Sequence, residues 1–234
     1  MANPPLGVPS LPSSSRAAPV PTDYFGTRQL LAEVGIPFGE ARPAESEDAA
    51  LATAAAIGYP VVLKALGTAH KSDAGGVRLG IADEAQLREA FREMQARLHP
   101  TSFSVEKEAP LARGLELLIG VKRDRRFGPI ALVGLGGIAA ELFHDLAVAL
   151  APVTVEQAAK LIRSLRGAEL LLGYRGRPRL DVEAAARALS VLSELAATRS
   201  DIGEVEINPL LVLDRGVLGL DARLVSLSTD PEKR

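Results

Sequence analysis

The sequence predicts an α+β fold in two layers, not one doubly wound parallel sheet. Three observations carry this. Strands and helices are interleaved, yet hairpin-like strand pairs recur along the chain. The 234 residues match one large domain or two small ones. Hydrophobic residues make up 47% of the chain, a normal fraction for a packed core.

Each element has its own signal. Residues 1–22 hold Pro4, Pro5, Pro9, Pro12, Pro19 and Pro21 with Ser10 and Ser13 to Ser15. They read as a disordered tail or linker, or alternatively as a Pro-rich docking peptide. The structured domain is expected over 23–227, with a short C-terminal tail at 228–234 and a subdomain break near 101–114. Leu30, Leu31 and Val34 form a helical stripe that ends at Gly35 with Pro37 beyond. Ser46, then Glu47 and Asp48, opens an Ala-rich helix to Ile57 that stops at Gly58. Pro60 to Leu66 reads as a buried strand and Val77 to Ile81 as a second.

The clearest helix runs from Asp83 to Leu98, with Asp83 and Gln86 at capping-box spacing and Leu87, Ala90, Phe91, Met94 and Leu98 on one face. Strands follow at Phe103 to Glu108, Leu115 to Lys122 and Pro129 to Gly134. Thr154 with Gln157 caps a helix carrying Leu161, Ile162 and Leu165, and Asp181 opens a long helix through Leu189, Leu192 and Leu195. The chain closes with strands at Glu204 to Asn208, Leu210 to Leu213 and Val217 to Ala222, turning at Asp214-Arg215-Gly216.

Composition narrows the function. Lys and Arg total 27 against 29 Asp and Glu, so the chain carries no electrostatic footprint for nucleic acid. Cysteine is absent, which removes disulfides, thiolate zinc sites and a Cys nucleophile. The longest apolar run, Phe127 to Ala140, is broken by glycines and shorter than the roughly 20 residues a membrane helix needs. The N-terminus lacks the features of a signal peptide. A cytoplasmic protein with no membrane partner is the expectation.

Four clusters hold chemistry. Lys64 lies inside an apolar strand and either snorkels to water or meets an anion such as phosphate. His70 sits on the polar loop His70-Lys-Ser-Asp-Ala-Gly-Gly76, whose glycines permit close backbone approach to a ligand. It is either a solvated loop histidine or a nucleophile that accepts a phosphoryl group. Gly134-Leu-Gly136-Gly137-Ile-Ala139 matches the dinucleotide fingerprint by letters, without a clean helix after it. Its backbone N–H groups also suit phosphate. Finally, Glu206 and Asn208 share one strand face. With an even-length turn pairing Asp214 to Val217, Asp221 would lie opposite Leu210 on that same face. The three side chains then converge as oxygen ligands suited to Mg²⁺; an odd-length turn would leave a solvated hairpin face.

These clusters, in this order, resemble the ATP-grasp subunit of NDP-forming acyl-CoA synthetases, and more distantly the beta subunit of succinyl-CoA synthetase. The segments that carry the resemblance are Ile57 to Lys64, His70 to Val77, Gly114-Leu-Glu116 through Asp124, Phe127-Gly-Pro, Gly134 to Gly137, Gly173 to Pro178, Glu206-Ile-Asn-Pro209 and Leu220-Asp-Ala-Arg223. The resemblance implies an ATP-grasp fold of two α+β subdomains around ATP. It implies that Lys64 contacts nucleotide phosphates, that Glu106 or Glu108 is the hinge acid against adenine, and that Glu116 holds the ribose. Gly136 and Gly137 would face phosphate, Asn208 and Asp221 would bind Mg²⁺, and Glu206 would lie beside the reacting phosphate or the metal. His70 matches a position of transient phosphorylation.

The function implied is an ADP-forming acyl-CoA synthetase subunit using ATP/ADP, Mg²⁺ and a phosphohistidine relay. Because the chain has no CoA domain, a CoA-binding alpha-type partner is expected. The alternative is a non-catalytic, nucleotide-sensing module acting on a partner protein, which would bind Mg-ATP without phosphorylating His70.

Overall fold

A computed structural model describes residues 19–67, 75–137 and 145–227. Residues 1–18 of the expected N-terminal tail, His70, His144 and the C-terminal tail lie outside the described residues. In chain order the elements are α1 (Tyr24–Glu33), β1 (Ala41–Ala44), α2 (Glu47–Ile57), β2 (Val61–Leu66), β3 (Val77–Ile81), α3 (Glu84–Leu98) and β4 (Ser102–Lys107). Then come β5 (Leu115–Asp124), β6 (Gly128–Leu135), β7 (Leu146–Leu150), α4 (Val155–Ser164), α5 (Val182–Thr198), β8 (Ile202–Val212), β9 (Val217–Gly219) and β10 (Ala222–Ser226). They fall into two compact units: Phe38–Gly114, and a larger one from the described parts of Met1–Pro37 and Leu115–Arg234.

The helix ends form for the reasons visible in sequence. Asp23, Ser46, Asp83 and Thr154 each accept a hydrogen bond from the backbone N–H three residues on, satisfying donors that the first helical turn leaves open. Thr154 and Gln157 complete a reciprocal capping box. At α3 the expected box is altered: the Gln86 amide oxygen accepts from Ala82 N at 3.0 Å, one residue before the cap. Asp181 caps α5 through Ala184 N and also accepts from Gly216 N, both at 2.9 Å, so one carboxylate ties this helix to the final hairpin.

The smaller unit is a four-stranded antiparallel sheet in the order β1-β4-β2-β3. Leu63 and Ala65 of β2, with Phe103 and Val105 of β4, pack into a core with Leu87, Phe91 and Met94 of α3. The Phe91 and Phe103 ring centroids are 4.3 Å apart. All six residues of β2 are buried, so the alternate face, which carries Lys64, is also out of water.

The larger unit has a sheet of six antiparallel strands ordered β10-β8-β5-β6-β7, with β9 also paired to β8. α4 and α5 pack on one face, over the fully buried Leu117, Ile119, Val133, Val205 and Ile207. Arg123 at the end of β5 donates to the carbonyls of Ala196, Arg199 and Ile202 at 2.6, 3.2 and 3.1 Å. That places a guanidinium at the negative end of α5. α1 packs on β10. Among the described residues no helix is long and apolar enough to cross a membrane.

Candidate functional site

In the smaller unit the candidate residues centre on a buried lysine. Lys64 on β2 lies directly opposite Ser104 on β4, and Val62 opposite Glu106. Residues two apart on a strand share a face, so Lys64, Ser104 and Glu106 lie together. Lys64 Nζ is 3.0 Å from Glu106 Oε2, and Ser104 Oγ donates to Glu106 Oε1 at 2.9 Å. Lys64 is 7% exposed and Glu106 6%. A charge that deep persists only when paired and hydrogen-bonded. Glu108 has a different setting: it lies past the end of β4 and its Oε1 accepts from Gly80 N at 2.9 Å.

In the larger unit a row of polar groups lies on the sheet face opposite the core. Glu116 and Gly120 of β5 alternate with the buried Leu117, Ile119 and Val121. Gly120 pairs with Glu206, and Glu206 with Arg223 of β10. A Cβ on Gly120 would meet Val205 O at 3.1 Å and the Cα and Cβ of Glu206 at 3.6 Å, so glycine here leaves room beside the Glu206 side chain.

Asp221 does share a face with Glu206 and Asn208, but the expected register is corrected by two residues. Leu213 N bonds Gly216 O at 3.1 Å, so the two-residue loop is Asp214-Arg215 and Val212 pairs with Val217. Asp221 therefore lies opposite Asn208 rather than Leu210, and Asn208 N donates to Asp221 O at 3.1 Å. Parity is preserved, so the convergence survives. Asn208 and Pro209 together oppose the single residue Leu118, since Leu117 pairs with Leu210 and Ile119 with Ile207. This is a bulge, a device that re-aims side chains where a ladder is interrupted.

The Glu206 carboxyl is held above the ordinary carboxylate range, chiefly by burial. Nearby Glu204 and Asp221 push the same way, while a hydrogen bond from Asn208 and the Arg223 charge oppose them. Among the described residues no cluster of three or more His, Cys, Asp or Glu is placed to hold a metal ion. Within the set Glu206, Asn208 and Asp221 the sheet offers two carboxylates and one amide on one face. That set suits Mg²⁺, which takes one or two carboxylates and completes its shell with waters and substrate phosphates.

Glu116 is likewise pushed up by burial. The backbone of Gly136 donates to Glu116 O at 2.8 Å. A Cβ at Gly137, where φ is +57°, would run into the Glu116 carboxylate. Glycine is thus required twice, for its backbone angle and for the carboxylate lying over it. Gly137→Ala is expected to dislodge the Glu116 carboxylate and to lower stability by about 1–2 kcal/mol, measured by urea unfolding.

One charged group was not singled out from sequence. Glu204 pairs with Arg223 at 3.1 Å and Lys122 at 3.7 Å. It lines the same ≈ 260 Å³ depression as Glu206, Gly120, Leu132 and Leu146. Its signal was the spacing of two from Glu206 on a strand.

The family described as ATP-grasp domain matches residues 22–225. The beta subunit of acetate–CoA ligase [ADP-forming] I from Pyrococcus furiosus is 35% identical over 207 residues, covering 85% of this chain and 88% of that subunit. Acetate–CoA ligase [ADP-forming] II from Archaeoglobus fulgidus is 36% identical over 201 residues, 85% of this chain, which spans 29% of that longer protein. Among solved structures, the dinucleotide-forming acetyl-coenzyme A synthetase 1 of Ca. Korarchaeum cryptofilum, in complex with coenzyme A and Ca-AMPCP, superposes with a TM-score of 0.81 at 33% identity, covering 88% of this chain and 93% of that one. In a second complex of that synthetase, with coenzyme A and Mg-AMPPCP, a phosphohistidine segment points towards the nucleotide-binding site (TM-score 0.75, 33% identity, 87% and 92% coverage).

Proposed function

Because this chain belongs to the ATP-grasp family, and there with the beta subunits of ADP-forming acetate–CoA ligases, we propose that it is the nucleotide-handling subunit of an ADP-forming acyl-CoA synthetase. The reaction is acid + CoA + ATP = acyl-CoA + ADP + Pi, run with a CoA-binding alpha-type subunit. The observation that supports this most is the placement of Glu206, Asn208 and Asp221 on one sheet face.

Phosphoryl transfer needs positioning and charge neutralisation more than covalent chemistry. Lys64 neutralises phosphate charge, and its pair with Glu106 keeps the ammonium oriented until the nucleotide arrives. Glu106 is taken as the hinge acid because it shares the strand face of Lys64, whereas Glu108 lies past the end of β4. Glu116 accepts from ribose hydroxyls, and the Gly136-Gly137 backbone faces phosphate. Asn208 and Asp221 would hold Mg²⁺, which neutralises phosphate oxygens when bound. Glu206 lies beside the reacting phosphate. His70 accepts the γ-phosphoryl group: a nitrogen–phosphorus bond forms as the bond to ADP breaks. This last role rests on the resemblance in sequence.

The test is reconstitution. The chain mixed with an alpha-type subunit is expected to form ATP from ADP and phosphate only when acyl-CoA is present. Absence of acyl-CoA-dependent ATP formation across a panel of short-chain acyl-CoAs would overturn the reading.

A further inference from the structure

The backbone that carries Asp221 is irregular, and its irregularity has a remedy outside the sheet. β9 ends at Gly219 and β10 begins at Ala222, leaving Leu220 and Asp221 between two ladders. Leu220 N donates to Pro209 O at 3.0 Å. In a regular antiparallel pair the bond is reciprocal. Here the return bond from residue 209 to Leu220 O cannot form, because proline lacks an N–H, so the ladder does not fix this carbonyl.

Arg28 of α1 supplies a donor. Its Nη1 donates to Leu220 O at 3.2 Å and to the Tyr24 hydroxyl at 2.8 Å. The guanidinium carbon lies 5.2 Å from the Tyr24 ring centroid, and the residue is 6% exposed. A planar guanidinium between a phenol and a carbonyl is held in a fixed direction, unlike a lysine ammonium. The carbonyl it grips belongs to the peptide bond that leads into Asp221. The orientation of that peptide sets where the Asp221 side chain leaves the backbone.

We propose that Arg28 is a positioning residue for the cation site: by gripping the Leu220 carbonyl it fixes Asp221 opposite Asn208. This rests on the reading of Asn208 and Asp221 as Mg²⁺ ligands. It assigns a role to α1, which lies far from the site in sequence.

The test uses Mn²⁺ as a spectroscopic stand-in for Mg²⁺, with the full chain and saturating AMPPCP, bound Mn²⁺ being read by electron paramagnetic resonance. Arg28→Met is expected to weaken Mn²⁺ binding about tenfold, or ~1.4 kcal/mol. Arg28→Lys, which keeps a donor but not the planar, stacked fork, should recover only part of it, and metal-free ADP binding should change less than about twofold. Wild-type Mn²⁺ affinity in Arg28→Met, with Asp221→Asn clearly impaired, overturns the proposal while leaving the ligand assignment intact. Wild-type affinity in Asp221→Asn overturns the assignment and the proposal with it. If Arg28→Met does not fold, Tyr24→Phe removes only the hydroxyl that steadies the guanidinium. A two- to threefold loss of Mn²⁺ affinity is then expected, and no loss overturns the proposal.

Discussion

Lys64→Met is expected to lower kcat/KM for MgATP by about two to three orders of magnitude, the typical loss when one preorganised donor to developing charge is removed. It should also destabilise the fold, because Glu106 loses the Lys64 counter-charge at 3.0 Å while remaining buried. Breaking one half of a buried ion pair costs about 3–5 kcal/mol. The two effects separate in the double variant Lys64→Met/Glu106→Gln. Removing both charges should restore most of the stability, measured by urea unfolding, and none of the activity. Recovery of activity in the double variant would show that Lys64 is only a structural counter-charge.

Glu206→Gln is expected to reduce turnover about a hundredfold with little change in KM for the nucleotide, as for a group whose interaction is made mainly in the transition state. The same substitution has an opposite effect on stability. Burial raises the Glu206 carboxyl above the ordinary value of 4.5, so the folded chain holds that proton more tightly than the unfolded one. The sign follows from linkage. Stability falls as pH rises from the unfolded value through the folded one, and the penalty is complete above both. Glu206→Gln should therefore be more stable than the wild type at about pH 7, with the difference vanishing near pH 4. Thermal melts at the two pH values check this. Equal stability of the two proteins at both pH values would contradict the burial argument.

Much of this was legible in the sequence, for identifiable reasons. Helix starts were readable because caps are local: Ser46, Asp83, Thr154 and Asp181 each bond within their own first turn. β1 was not readable. Arg42 and Pro43 look like loop residues, yet β1 is an edge strand, where a missing N–H is tolerated. β7 was hidden for another reason. Leu146, Val148 and Leu150 are exposed and alternate with alanines, so both faces are apolar and no period of two appears.

The candidate site shows the same division between local and non-local information. The shared face of Glu206, Asn208 and Asp221 follows from parity alone, which any even loop preserves. The register depended on a choice between Asp214-Arg215 and Arg215-Gly216 as the loop. That choice is made by contacts far away in sequence, with Asp181 accepting from Gly216 N. The Lys64–Glu106 pair was missed because it needs the β2–β4 alignment, which no local pattern carries. Arg28 was invisible for the same reason: its partner Leu220 lies 192 residues on.

The central claim is that this chain takes a phosphoryl group from ATP onto His70. The direct measurement is incubation with γ-labelled ATP and Mg²⁺ in the presence of the alpha-type subunit, followed by denaturing separation of the chains. The expected result is acid-labile, base-stable label on this chain, about one per chain at most, removed by excess ADP and absent from His70→Ala. No label on the wild-type chain, or label persisting in His70→Ala, would contradict it.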